Sequence, residues 1–205
     1  VLRYESRPVA QIDDDLRSTV RAMFNLMYEA RGIGLAANQV GLPFRFFILN
    51  LTADPEQKDK ELVLINPEIV KRHSSQEDEE GCLSLPGLYA DVKRARKIRV
   101  MAYDLTGNLV EHQADELFSR AIQHETDHLN GKLFIDHVAP SARKSIEKGI
   151  DEFESKYRTA QREGLLPTDA ALIRELDAIA RPAGHLGTRW PPIGMPVPAR
   201  DEAVG

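Results

Sequence analysis

Residues Gln123–Gly131 read Q-H-E-T-D-H-L-N-G, and the H-E-x-x-H within them constrains this chain more than any other stretch. On an α-helix, side chains four positions apart lie on one face about one turn apart, so His124 and His128 can hold a single cation. Glu125 projects beside them. There a carboxylate can reach a metal-bound water as a general base without being a ligand. Leu117, Ala121, His124 and His128 make one stripe, and Phe118, Ile122, Glu125 and Leu129 the adjacent one, so the segment has a helical period. Asp115 is placed to cap its start and Gly131 to end it. An ordinary charged helix can contain the same pattern by accident. Two imidazoles on a mostly apolar stripe are costly to bury without a partner, which favours a metal.

Other features narrow the setting. With 205 residues the chain can form one well-packed domain with appendages. Its net charge of -5 gives no support to a direct nucleic-acid site, and no apolar run approaches the roughly 20 residues of a membrane span. The chain opens on Val1-Leu2-Arg3 without an initiating Met, which reads as a trimmed start. Cys82 is the one cysteine, so an intramolecular disulfide is excluded and a reducing compartment fits. Cys82 is then a small buried hydrophobe, a free thiol or a metal ligand. Its neighbours, Glu80-Gly81-Cys82-Leu83-Ser84-Leu85-Pro86-Gly87, form a turn-rich frame that suits a shaped backbone, and a thiolate there is the candidate third ligand.

Taken in order, residues 12–30 have the spacing of an amphipathic helix, with Asp13–Asp15 at its start and Leu16, Val20, Met23, Phe24 and Met27 along one face. Gly32-Ile33-Gly34-Leu35-Ala36-Ala37-Asn38-Gln39-Val40-Gly41 is built of small residues that permit close approach of another chain. Its G-x-G-x-x-A follows a helix rather than a strand, which weighs against a nucleotide loop. Phe44–Asn50 and Glu61–Val70 read as strands, with a loop between them and a bend or edge at Asn66-Pro67. Residues 73–80 read as an exposed polar strand or loop. Lys97–Asp104 and Leu109–Ala114 read as a hairpin about Thr106-Gly107-Asn108, with His112 facing solvent. Leu133–Ile135 reads as a short strand, Ser141–Glu163 as a charged one-sided helix, and Pro167–Ala180 as a second short helix. Arg181–Gly205, rich in Pro and Gly, reads as a loosely held tail.

Three stretches together resemble the peptide deformylase family, which is marked in this order by G-Φ-G-Φ-A-A-x-Q, E-G-C-Φ-S and Q-H-E-x-D-H. They stand here complete as Gly32–Gln39, Glu80–Ser84 and Gln123–His128. The resemblance covers roughly residues 1–138, with a counterpart for the charged helix beyond. It implies an α+β fold, in which antiparallel strands wrap a central metal-binding helix and a long C-terminal helix follows. Residues 1–163 would form the catalytic domain and 164–205 an extension.

By that resemblance, Cys82, His124 and His128 hold one divalent ion, Fe(II) as the working metal and zinc as the other candidate. Three protein ligands with one position left for water make a catalytic rather than a structural site. Glu125 would activate the metal-bound water, and the Gln39 amide and the Leu83 backbone N–H would stabilise the oxyanion. The substrate would be the N-formylmethionyl end of a newly made protein, and the products formate and a free amine. Its backbone would pair with Ile33, Gly34 and Gly81. Its methionine would enter a pocket of Gly32, Leu117, Arg120 and Ala121, with Arg120 lending its aliphatic stem if its head reaches solvent. Asp127 would pair with Arg94. A bacterial cytoplasm, or an organelle, is the implied setting. Docking on the ribosome through the charged helix from about Ser141 would fit a substrate that emerges there, although that helix has mixed charge and no strong basic surplus.

Two rivals use the same residues differently. A zincin-type protease would take its third ligand downstream, where His137 is available, but would leave Cys82 and Gln39 unexplained. A non-catalytic peptide-binding module would have no need of Glu125.

Overall fold

The computed structural model describes residues 1–180. Helix α1 (Asp14–Glu29) begins where Asp13 accepts the Leu16 N–H with its side chain, and it buries the expected stripe of Leu16, Val20, Met23, Phe24 and Met27. Five strands follow: β1 (Gly34–Ala36), β2 (Phe46–Leu49), β3 (Leu62–Cys82), β4 (Leu85–Tyr103) and β5 (Leu109–Asp115). They form one antiparallel sheet in sequence order. Helices α2 (Glu116–Leu129), α3 (Pro140–Arg162) and α4 (Asp169–Ala180) complete the described chain.

The sheet carries a core on each face. Phe46, Ile48, Ile65 and Tyr103 meet α1 on one side, and Phe47, Leu49, Leu64, Ile98 and Val100 meet α2 on the other. The alternation along β2 divides its four fully buried residues between the two cores. Each fully buried side chain of this size contributes ~1.5–3 kcal/mol. A third cluster joins the hairpin end to α3, with Leu85, Val92, Phe134, Ile146 and Ile150 in contact.

Several sequence expectations change. Residues 73–80 take the exposed-strand alternative, but as a continuation of the strand before them: β3 runs to Cys82 and pairs with a similarly long β4 that begins well before Lys97. The interruption at Asn66-Pro67 is real. Asn66 has φ 51°, the ladder shifts between Ile65 and Glu68, and the Asn66 amide bonds both the N–H and the C=O of Val9. Leu133–Ile135 is not a strand but the start of a 3-10 turn over Phe134–Asp136, whose three apolar groups dock into the third cluster. Asp115 occupies the N-cap of α2 but makes no side-chain cap bond. His112 is half-buried against the edge of Phe118 rather than facing solvent. Gly131 ends α2 with φ 67°. The tail expectation for Arg181–Gly205 lies outside the described residues.

Candidate metal centre and active-site cleft

Helix α2 is fixed by a polar clamp before its histidines are placed. Gln123 accepts from Ala95 N at 3.1 Å and donates to Ala95 O at 2.8 Å, and Ser119 Oγ donates to the same carbonyl. A side-chain amide thus continues the backbone pairing of β4. At the other end of the helix, Asn38 Nδ2 donates to His128 O. The helix cannot slide relative to the sheet or to the loop after β1 without losing buried hydrogen bonds.

This registration places His124, His128 and Cys82 together. Their candidate ligand atoms all lie within 4.8 Å of one another. Cys82 Sγ stands 3.3 Å from His128 Nε2, and the two imidazole centroids are 4.9 Å apart. A thiolate and two imidazoles at this spacing suit one Zn(II)- or Fe(II)-like ion with bonds of about 2.0–2.3 Å. Burial and then the charge of His124 push His128 down to about 3, so its ring is neutral, as a ligand must be. The His128 Nδ1 and one Glu125 oxygen are buried without a protein partner, polar groups that a packed apolar core would not tolerate.

Behind the triad lies a charged network. Glu80, 5% exposed, accepts from Arg94 Nε at 2.8 Å and Nη2 at 3.0 Å, and from Arg120 Nη1 at 2.6 Å. Its remaining capacity meets His124 Nδ1 at 3.1 Å. Burial works against the Glu80 charge, but the hydrogen bonds from His124 and Arg94 outweigh it and hold the carboxyl well below the usual carboxylate range. For His124, burial favours the neutral ring. The hydrogen bonds to Cys82 and Glu80 and the nearby Glu125 charge overcome it and push the imidazole up to about 10. Without an ion, a proton on His124 supplies the positive charge that this anionic pocket demands. Arg94 also pairs with Asp127, as the sequence suggests, and Asp127 in turn meets His137 Nε2 at 2.8 Å. His137 is thereby spoken for and is not part of the Cys82–His124–His128 group, which removes the protease rival's third ligand.

The triad opens on a cleft of about 610 Å³. Gly32, Ile33, Gly34 and Gln39 line one side, Gly81, Cys82 and Leu83 the other, and Leu117, Arg120, Ala121, His124 and Glu125 the helix wall. His128 lies deeper, 1% exposed. Gly34 is required by close approach: a Cβ there would collide with the Glu125 carboxylate and come within 2.8 Å of Leu49 Cδ2. Gln39 is oriented at both ends of its amide, accepting from Ala36 N at 2.8 Å and donating to Ser84 Oγ at 3.0 Å, with Cys82 Sγ at 3.8 Å. Burial drives Glu125 up to about 7 against the opposing charge of His124.

One site expectation is corrected. The Arg120 head does not reach solvent: the residue is 6% exposed and its guanidinium binds Glu80, Asp78 and Val92 O. Glu80, the hub of this network, stood in the E-G-C stretch without an assigned task. Its position beside Cys82 was the available signal. Tyr89 lines the mouth of the cleft at 59% exposure and nothing in its sequence surroundings marked it.

The family model for polypeptide deformylase matches residues 1–144. The chain belongs to the polypeptide deformylase family. A peptide deformylase of Rhodopirellula baltica is 39% identical over 85% of this chain and 86% of its own length. One of Cellvibrio japonicus is 47% identical over 74% of this chain and 88% of its own. Among solved structures, a peptide deformylase from Synechococcus elongatus in complex with actinonin superposes with a TM-score of 0.70 at 43% identity, covering 75% of this chain and 82% of that one. Like its relatives, this deformylase is a metal-dependent hydrolase that removes formyl from N-terminal formylmethionine. No helix among the described residues is long and apolar enough to cross a membrane.

Proposed function

We propose that Cys82, His124 and His128 hold the catalytic ion and that Glu125 moves the proton in deformylation. The observation that carries this reading is the convergence of those three donors beside a buried carboxylate at the floor of one cleft. When bound, Fe(II) as the working ion, or zinc, lowers the pKa of water and polarises a carbonyl oxygen. Glu125, with a carboxyl poised near neutrality, takes a proton from the attacking water. As the water oxygen bonds to the formyl carbon, the former carbonyl oxygen becomes an oxyanion. It accepts from Gln39 Nε2 and the Leu83 backbone N–H. Glu125 then passes the proton to the methionyl nitrogen, the C–N bond breaks, and formate and a free amine leave.

The substrate backbone pairs with Ile33, Gly34 and Gly81, and its methionine side chain rests on Gly32, Leu117, Ala121 and the flank of an immobilised Arg120. Leu117, 51% exposed on an otherwise buried helix, supports an apolar occupant there. The substrates are nascent proteins of a bacterial cytoplasm or an organelle, met at the ribosome with α3 as one contact. Residues 1–163 act as the catalytic unit and 164–205 as an extension.

The test is formate release from a formyl-Met dipeptide by protein loaded anaerobically with Fe(II) or with zinc, each beside Glu125→Ala. Turnover that disappears in the variant supports the reading. Equal turnover in the variant, or none in the parent protein with one ion bound per chain, overturns it.

A further inference from the structure

The sheet face that α1 covers extends past the helix over β3, β4 and β5. Tyr103 and Ile65 pack beneath α1, and strand alternation carries the same face from Tyr103 to Arg99 and Lys97. The register sets Lys71 opposite Arg99, His73 opposite Lys97, and Gln113 opposite Arg99 on the far strand. These residues line a hollow of about 380 Å³. Cross-strand neighbours stand about 5 Å apart and same-face positions along a strand about 7 Å apart. Lys71, His73, Lys97 and Arg99 therefore form a small basic rectangle on a chain whose net charge is -5.

Like charges directly opposite each other weaken a sheet. Lys71 faces Arg99 in this way; Lys71, Lys97 and Arg99 have no side-chain ion pair among the described residues, and Arg99 Nε is buried without a partner. Asp115, across from Lys97, is the one carboxylate lining the hollow among the described residues. On the same face the register sets Glu68 and Glu111 beside Met101, one step from Arg99, so the unfavourable pairing is confined to Lys71 and Arg99. The cost to the fold points to a ligand that brings negative charge.

We propose that this hollow binds the phosphate backbone of RNA. The inference rests on the nascent-chain reading, in which the substrate arrives tethered to an RNA-rich particle. The hollow lies on the flat face of extended, paired strands, which offers no backbone nest to enclose a lone phosphate. What remains is an open row of two lysines and a guanidinium fork, the side chains that track a run of phosphates.

The experiment is anisotropy titration of the metal-loaded full chain with a fluorescein-labelled hairpin RNA across a salt series. Lys71→Ser/Lys97→Ser should weaken binding at least about fivefold and lower the log–log salt slope by about two. Lys71→Arg/Lys97→Arg should bind as the parent does, and Lys58→Ser, on the exposed turn before β3, should change nothing. Formate release from a formyl-Met dipeptide should be the same in all. Removing like-charge contacts leaves the fold intact or steadier. Unaltered binding in the double serine variant, or an equal loss in Lys58→Ser, overturns the proposal. Displacement of RNA by inorganic tripolyphosphate at about its own concentration would make this a small-anion site. A change of oligomeric state in the serine variant would make it an interface between copies. Both outcomes also overturn the proposal. A parent protein that binds RNA but releases no formate would sink the catalytic reading alone.

Discussion

The Nδ1 of His124 lies 3.1 Å from Oε2 of Glu80, and this contact decides which nitrogen of that ring is left to face Cys82. Glu80 is held by two arginines, so the ring orientation is set by a carboxylate that has no freedom to follow it. Glu80→Gln keeps the shape but removes the charge. Metal affinity should fall ~10–100-fold, the usual effect of losing a carboxylate behind a ligating histidine. Glu80→Ala, which takes from Arg94 and Arg120 the carboxylate they share in the interior, should in addition cost ~3–5 kcal/mol of stability. Competitive zinc titration and urea unfolding measure the two effects separately. Wild-type affinity in Glu80→Gln would show that the contact is incidental.

Metal uptake should release protons. In the ion-free protein His124 is charged up to about pH 10, whereas a ligand must be neutral. Zinc affinity should therefore rise about tenfold per pH unit between pH 7 and 9 for this proton alone. Calorimetry in buffers of different ionisation enthalpy counts the protons directly. The sign for folding is opposite: a raised imidazole stabilises the ion-free protein fully below about pH 6.5 and progressively less as pH climbs towards 10. Zero proton release at pH 8 would contradict the assignment.

Gly34 tests how closely β1 and α2 must approach. Gly34→Ala places a methyl against the Glu125 carboxylate and Leu49. Overpacking of this kind costs ~1–3 kcal/mol, and the displaced carboxylate should reduce kcat ~100-fold or more. Deformylation kinetics and a thermal melt check both. Unchanged kcat would mean that the carboxylate position matters less than the geometry implies.

The features legible in sequence were those with local causes. The α1 stripe, the histidine pair and the Asn66-Pro67 bulge each follow from a few neighbouring residues. The long β3–β4 hairpin was hidden because residues 71–75 are exposed and polar on both faces, so no alternation marks them as strand. Arg120 was misread for a different reason. Its buried partner Glu80 lies 40 positions away, and only the closed hairpin brings them together. Leu133–Ile135 shows that a short apolar run fits strand or turn equally until its packing partners are known.

Glu125 should show catalysis and stability pulling in opposite directions. Its carboxyl is 5% exposed, one oxygen has no protein partner, and burial has driven it up to about 7. A raised carboxyl leaves the ion-free fold steadiest when protonated, below about pH 4.5, and progressively less stable as pH climbs towards 7, beyond which the loss is complete. Glu125→Gln removes the charge that burial penalises. At pH 8 the ion-free variant should gain stability of order 3 kcal/mol from a shift of this size. At pH 4 the gain should vanish. Deformylation should meanwhile fall ~10²–10⁴-fold, the range expected for loss of a positioned base. Paired melts at the two pH values, set beside formate release, test both halves. A variant destabilised at pH 8 would show that the buried carboxylate is better satisfied than its surroundings indicate.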